Sequence, residues 1–167
     1  MYSGMRIGEI CALKWSDIDL QSGIIRISKT VQRINDKIGN SKTKIIVGSP
    51  KSRTSEREIP IPNFLVNILN ERRQNENNYI LSGTHKLIEP RTMQNRFKSV
   101  LKKCGIRNVN FHLLRHTYAT VCIENGFDAK TVSELLGYSN VNITLNRYVH
   151  SSLDTKKKYV EKLNFVA

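Results

Sequence analysis

Apolar residues follow two different rhythms along the chain, and the change between them divides it. Over residues 6–15 they recur at helical spacing, with Ile7, Ile10, Cys11 and Leu13 supplying the apolar positions, and this predicts a short helix that ends in the polar run from Ser16 to Asp19. From Gly23 the segment GIIRISKTVQRI is rich in β-branched residues and predicts a strand. Residues 44–47 and 58–61 predict a second and a third. Turn residues fill positions 35–41, and Gly48-Ser49-Pro50 with residues 52–55 joins the last two strands. Pro60 and Pro62 mark an edge or a strand end, because proline has no N–H for a ladder.

Beyond Pro62 the rhythm is helical. Asn63 is the expected N-cap of a helix over 64–75, and Tyr79-Ile80-Leu81 is long enough only for a bridging strand. Pro90 suits a helix start, and Met93, Phe97, Val100 and Leu101 form its apolar stripe before Gly105. Residues 112–125 form the next helix, closed by Gly126. Asp128 caps a helix over 129–136, closed by Gly137. Asn142 caps a short helix ending at Tyr148, and residues 152–163 predict a last helix with four lysines. A small three-stranded antiparallel sheet followed by helices is an α+β arrangement, mainly helical, in a single domain; 167 residues suit one core.

Charge adds the first functional constraint. Twenty-seven Lys and Arg face fourteen Asp and Glu, a net charge of +13, which points to a polyanionic partner, nucleic acid before membrane. No apolar run has transmembrane length, and the first residues lack the pattern of a signal peptide. Cys11, Cys104 and Cys122 are odd in number and scattered without metal-ligand spacing, which predicts buried, reduced thiols and a cytoplasmic setting.

Candidate chemistry begins at FHLLRHTYAT. His112, Arg115 and His116 stand at helical spacing, which suits a phosphate clamp in which a guanidinium fork grips oxygens and an imidazole moves a proton. His112 and His116 are also four apart, as in zinc pairs, but Leu113 stands where a metalloprotease has glutamate and no third ligand is at hand. His116 is read as structural. His85 and His150 carry no argument, and Lys156-Lys157-Lys158 reads as a solvated face.

Four segments, in order, resemble the tyrosine recombinase (phage integrase) family: GMRIGEICALKWSDID, PKSRTSEREIPIP, FHLLRHTYAT and LGYSNVNITLNRYVH. The resemblance covers nearly the whole chain. It implies that Arg6 is the first catalytic arginine and Glu9 the acidic residue that orients the site. It further implies that Lys51 is the catalytic lysine, His112 and Arg115 the His-x-x-Arg pair, and Tyr148 the nucleophile. Tyr138 occupies the place where the family usually has His or Trp. A phenol there can donate one hydrogen bond to a phosphate oxygen but cannot carry positive charge, and packing at a helix end explains it equally.

The implied reaction is site-specific strand cleavage and rejoining through a 3′-phosphotyrosyl link, with no metal or other cofactor. Tyr148 needs help to ionise, since a free phenol has a pKa of about 10. Arg6 and Arg115 would hold the non-bridging oxygens, Lys51 would protonate the 5′ oxygen, and His112 would act as acid/base near the tyrosine. Lys42, Lys44, Arg53 and Arg57 lie near Lys51, so a phosphate-contacting loop is an alternative role for that segment. Implied partners are duplex attachment sites, a tetramer on DNA and accessory DNA-bending proteins. The tetramer would use the C-terminal segment, which could equally fold back on its own domain. With the first arginine at residue 6, the resemblance also implies a catalytic domain incomplete at its N-terminus, without arm or core-binding domains. Two rivals remain: a DNA-binding module without catalysis, and a type IB topoisomerase.

Overall fold

The computed structural model describes residues 2–36, 42–50, 52–148, 157, 160 and 161. Among them the chain runs α1 (Ile7–Ala12), β1 (Ile18–Asp19), β2 (Ile24–Ile27), β3 (Thr30–Asn35), β4 (Thr43–Gly48), β5 (Arg57–Pro60), α2 (Asn63–Glu71), α3 (Pro90–Lys103), α4 (His112–Glu124), α5 (Ala129–Leu136) and α6 (Asn142–Tyr148). The architecture is α+β, and no described helix is long and apolar enough to cross a membrane.

The strand expected from Gly23 is two strands in two sheets. β2 pairs antiparallel with β1 and β5, whereas β3 pairs with β4, in register from Thr30↔Gly48 to Asn35↔Thr43. Side-chain parity explains the break. Ile25 and Ile27 point into the core, and a continuous strand would next send Lys29 inward, an uncompensated buried charge. The chain turns at Ser28-Lys29 instead, Lys29 stays exposed, and Val31 becomes buried against α1. Gly8 permits that approach, since a Cβ there would stand 2.6 Å from Thr30 Oγ1 and 2.7 Å from the Val31 carbonyl oxygen.

The caps divide in the same way between expected and revised. Asp128 accepts the Thr131 N–H at 2.9 Å, and Gly137 closes α5 in the left-handed region at φ +63°. α2 instead starts at Asn63 itself, with Pro62 preceding it, and stops at Glu71. Asn75 then takes the Asn77 N–H in a local turn, which competes with further helix. Asn142 lies inside α6, and the capping oxygen belongs to Asn140, 2.8 Å from the Asn142 N–H. Tyr79 forms the expected isolated bridge, opposite Lys14. Cys11 and Cys122 are buried, but Cys104 is exposed where α3 ends. The expected last helix lies mostly outside the described residues; Lys157 and Val160 are helical, and the Glu161 N–H bonds the Lys157 carbonyl.

Among the described residues, three apolar clusters result. Leu13, Ile25, Ile27, Ile59 and Ile61 fill the sheet side, and Cys11, Ala12 and Val31 seat α1. Ala119, Cys122, Val132 and Leu136 join α4 to α5, with Tyr138 and Tyr148 packed on their margin. The functional candidates therefore sit where α1, the β5 edge, and α4 to α6 converge.

Candidate active site

α5 ends in carbonyls that no helical N–H can reach, at the negative end of its dipole. Three arginines from three other elements meet them. Arg57 Nε donates to the Leu135 carbonyl at 2.7 Å, Arg115 to that of Leu136, and Arg6 to that of Gly137 at 3.1 Å. One helix end thereby sets the spacing of three guanidinium groups. Gly137 is required there twice over: its φ is positive, and a Cβ would stand 3.0 Å from the Arg57 guanidinium.

Glu9 neutralises part of this charge. Its carboxylate, 2% exposed, receives Arg6 Nη1 at 2.8 Å on one oxygen and Arg57 Nη2 at 2.9 Å on the other. The Arg6 backbone N–H and Arg57 Nη1 add two more bonds, at 2.8 and 3.1 Å. Burial alone would raise the Glu9 pKa; Arg57 and then Arg6 outweigh it and hold the carboxyl below its ordinary 4.5. The Glu9 contribution to stability is thus present above about 4.5 and is lost as pH falls through the lowered value.

Arg57 was not among the residues singled out as candidates, yet the signal was in the sequence. Strand parity places Arg57 on the same face as Ile59 and Ile61, which are 0% and 7% exposed, so an arginine at that position has to be paired inside. Arg57→Ala removes one partner of a buried ion pair while Arg6 remains. The expected loss is about 3 kcal/mol of folding stability, read by denaturant unfolding. A loss below about 1 kcal/mol would mean that Arg6 alone suffices for Glu9.

Arg6 and Arg115 differ in access. The Arg6 side chain is 36% exposed and lines a cleft of about 450 Å³ with Gly8, Thr30, Pro50, Ser52 and Ser55. Arg115 is 2% exposed and also donates to the Gly4 carbonyl at 2.8 Å. The Tyr138 ring covers its face, with Cζ 4.8 Å from the ring centroid. Among the described residues, Arg115 Nε and the Tyr138 hydroxyl are buried without a hydrogen-bond partner. Arg115 shares the buried stripe of α4 with Ala119 and Cys122, at the i, i+4, i+7 spacing of one helix face.

The remaining candidates gather at the N-terminal half of α4 and the end of α6. The His112 and His116 rings meet edge to face, centroids 4.6 Å apart. His116 Nδ1 lies 2.5 Å from the Tyr148 hydroxyl. The sequence reading assigned His112 to the tyrosine and left His116 structural. Among the described residues, the hydrogen bond to Tyr148 runs to His116. No local signal distinguishes the two imidazoles, because the choice depends on how α6 packs across α4. Burial, then the neighbouring cations, lowers the pKa of both rings. Burial first, then Tyr138, pushes the Tyr148 phenol up to about 12. For Tyr138 itself the opposing effect of burial is outweighed by Tyr148 and Arg115, and its pKa is lowered. Lys51 lies outside the described residues; its neighbours Pro50 and Ser52 line the cleft beside Arg6. Among the described residues no group of His, Cys, Asp and Glu is arranged to hold a metal ion.

The model of the phage integrase family matches residues 1–154. The chain belongs to that family. Curated relatives of this integrase-family chain include a XerC-like tyrosine recombinase from Caldanaerobacter subterraneus subsp. tengcongensis. It is 35% identical, over 97% of this chain and 46% of the relative. The tyrosine recombinase XerA of Thermococcus onnurineus is 29% identical over 98% of this chain and 52% of its own. The chain spans about half the length of these curated relatives. Among solved structures, the Tn1549 transposon integrase in complex with circular intermediate DNA superposes with a TM-score of 0.74 at 23% identity, over 96% of this chain and 56% of that one. That likeness concerns the fold.

Proposed function

We propose that this chain is the catalytic domain of a site-specific tyrosine recombinase. It cleaves and rejoins duplex DNA through a 3′-phosphotyrosyl intermediate on Tyr148. The observation that carries the reading is the convergence, around the end of α5, of Arg6 and Arg115 with the His116–Tyr148 pair. The net charge of +13 supplies sequence-independent attraction to phosphates.

In the proposed reaction the scissile phosphate enters the cleft beside Arg6. Arg6 and Arg115 hold its non-bridging oxygens, where charge concentrates as the phosphorus is attacked. The Tyr148 oxygen forms the new bond to phosphorus. Lys51 gives a proton to the departing 5′ oxygen, and His112 bonds the phosphate from the first turn of α4. Glu9 holds Arg6. The phosphotyrosyl link retains a phosphoester, so rejoining by a 5′ hydroxyl needs no separate energy source. Assembly of several protomers on DNA through the segment after Tyr148 belongs to the same proposal.

The test is covalent capture on a nicked duplex library of randomised sequence, in which loss of the short 5′ fragment prevents rejoining. An SDS-resistant protein–DNA adduct is expected. Binding without any adduct would leave a DNA-binding domain that does not cut.

One observation favours that second reading: Arg115 is enclosed beneath the Tyr138 ring. Substitution at Tyr138 decides between them. If the phenol takes the place of the usual histidine and bonds the phosphate, Tyr138→His keeps or raises the rate of adduct formation. Tyr138→Phe, which keeps the ring on Arg115, lowers it about tenfold, the scale of one lost hydrogen bond. Equal rates for Tyr138 and Phe at this position would reduce the residue to packing.

A further inference from the structure

The Tyr148 hydroxyl and His116 Nδ1 stand at proton-transfer distance, 2.5 Å apart, before any rearrangement. Their rings are tilted by 48°, with centroids 5.8 Å apart. The edge-to-face contact with His112 steadies the His116 ring within α4. Among the described residues, the charged and titratable groups acting on His116 come from two elements: His112 and Arg115 on α4, and Arg147 and Tyr148 on α6. Burial first, then Arg147 and Arg115, favours the neutral ring. A neutral imidazole with its proton on Nε2 presents Nδ1 as an acceptor. Tyr148, pushed up to about 12, does not ionise near neutrality without such an acceptor.

We propose that His116 is the general base of strand cleavage, its Nδ1 taking the Tyr148 proton as the tyrosine oxygen attacks phosphorus. This assignment rests on the recombinase reading above. The bonds balance without a co-reactant: the Tyr148 O–H breaks and its proton passes to Nδ1; the oxygen–phosphorus bond forms; the bond from phosphorus to the 5′ oxygen breaks. The 5′ oxygen takes its proton from a different group, for which Lys51 is proposed. In rejoining, the 5′ hydroxyl gives its proton back to that same group as its oxygen attacks phosphorus, and the imidazolium returns its proton to the departing Tyr148 oxygen. His112 then supports the base and faces the phosphate, and it does not take the tyrosine proton.

The experiment measures single-turnover adduct formation by wild type, His116→Asn and His112→Asn. Two nicked duplexes of a sequence recovered from the randomised library serve as probes, one with an ordinary 5′ oxygen and one with a 5′ bridging sulfur at the scissile phosphate. Sulfur leaves without a proton, so the second probe rescues loss of a general acid and not loss of a base. His116→Asn is expected to keep DNA binding, to slow cleavage about a hundredfold on both probes, and to lose the decline in rate at low pH that protonation of the imidazole imposes on the wild type. Rescue by sulfur, a rate within about threefold of wild type, or disappearance of the low-pH decline in His112→Asn alone would overturn the assignment. Should His116→Asn not fold, the imidazoles are titrated by NMR in the wild-type protein. The low-pH midpoint of cleavage must coincide with the titration of His116, and coincidence with His112 instead overturns the proposal. A wild-type protein that forms no adduct on either probe removes the recombinase reading, and the assignment with it. An adduct from the wild type alongside an unaffected His116→Asn removes only the assignment.

Discussion

Tyr148→Phe is expected to abolish the SDS-resistant protein–DNA adduct while leaving duplex binding and folding close to wild type. The substitution removes one oxygen. The ring stays on the margin of the Ala119, Cys122, Val132 and Leu136 cluster, so the packing that α6 gains from it persists. The loss on the protein side is the hydrogen bond with His116 Nδ1. The His116 ring is partly exposed, so water can take that bond, and the cost to stability is at most about 1 kcal/mol. The loss on the chemical side is complete, because phenylalanine has no atom that can bond phosphorus. Adduct formation is read on denaturing gels and binding by mobility shift on the same duplex. An adduct that survives in the Phe variant would assign the nucleophile to another residue. Tyr138 would be the first to examine, since it lies beside Tyr148 and its pKa is lowered.

Arg115→Lys is expected to slow cleavage between about a hundredfold and a thousandfold, the scale of losing one preorganised donor to a developing oxyanion. It is also expected to destabilise the fold. The guanidinium spans two buried carbonyls on different segments, Gly4 and Leu136, and stacks beneath Tyr138. A lysine ammonium is a point donor on a flexible stem, and it cannot hold both oxygens in that plane. One carbonyl left without its donor costs about 1–3 kcal/mol. The two effects separate in measurement: unfolding by denaturant reports the scaffold, and single-turnover cleavage well below the midpoint reports the phosphate grip. A stable variant with near wild-type cleavage would remove Arg115 from the chemistry. Equal stability with a large kinetic loss would mean that lysine serves both carbonyls and fails only at the phosphate.

Arg115 also illustrates how far a sequence can be read. Its helix, its face and its neighbours on that face follow from local rules: the stripe with Ala119 and Cys122, the closing glycine, the absence of breakers between. α5 is equally legible, because Asp128 and Gly137 satisfy backbone groups within a few residues of themselves. Local rules were less reliable where two capping residues compete, so that Asn140 displaced Asn142. They also failed where strand parity had to be followed across Ser28-Lys29 to show that one β-rich run serves two sheets.

By itself the sequence determined the α+β class, the helices α3 to α6, the cationic character and the membership of the family through four ordered segments. Only the tertiary structure decided how the residues around the site are paired. Arg57 reaches Glu9 from 48 positions away, Arg6 reaches Gly137 from 131, and Tyr148 meets His116 across 32. The reason is physical. Caps and periodicity act over one or two turns of chain and are written in neighbouring residues. The direction in which a helix end presents its unpaired carbonyls, and the angle at which α6 crosses α4, are set by how whole apolar faces pack, and no short stretch of sequence carries that information.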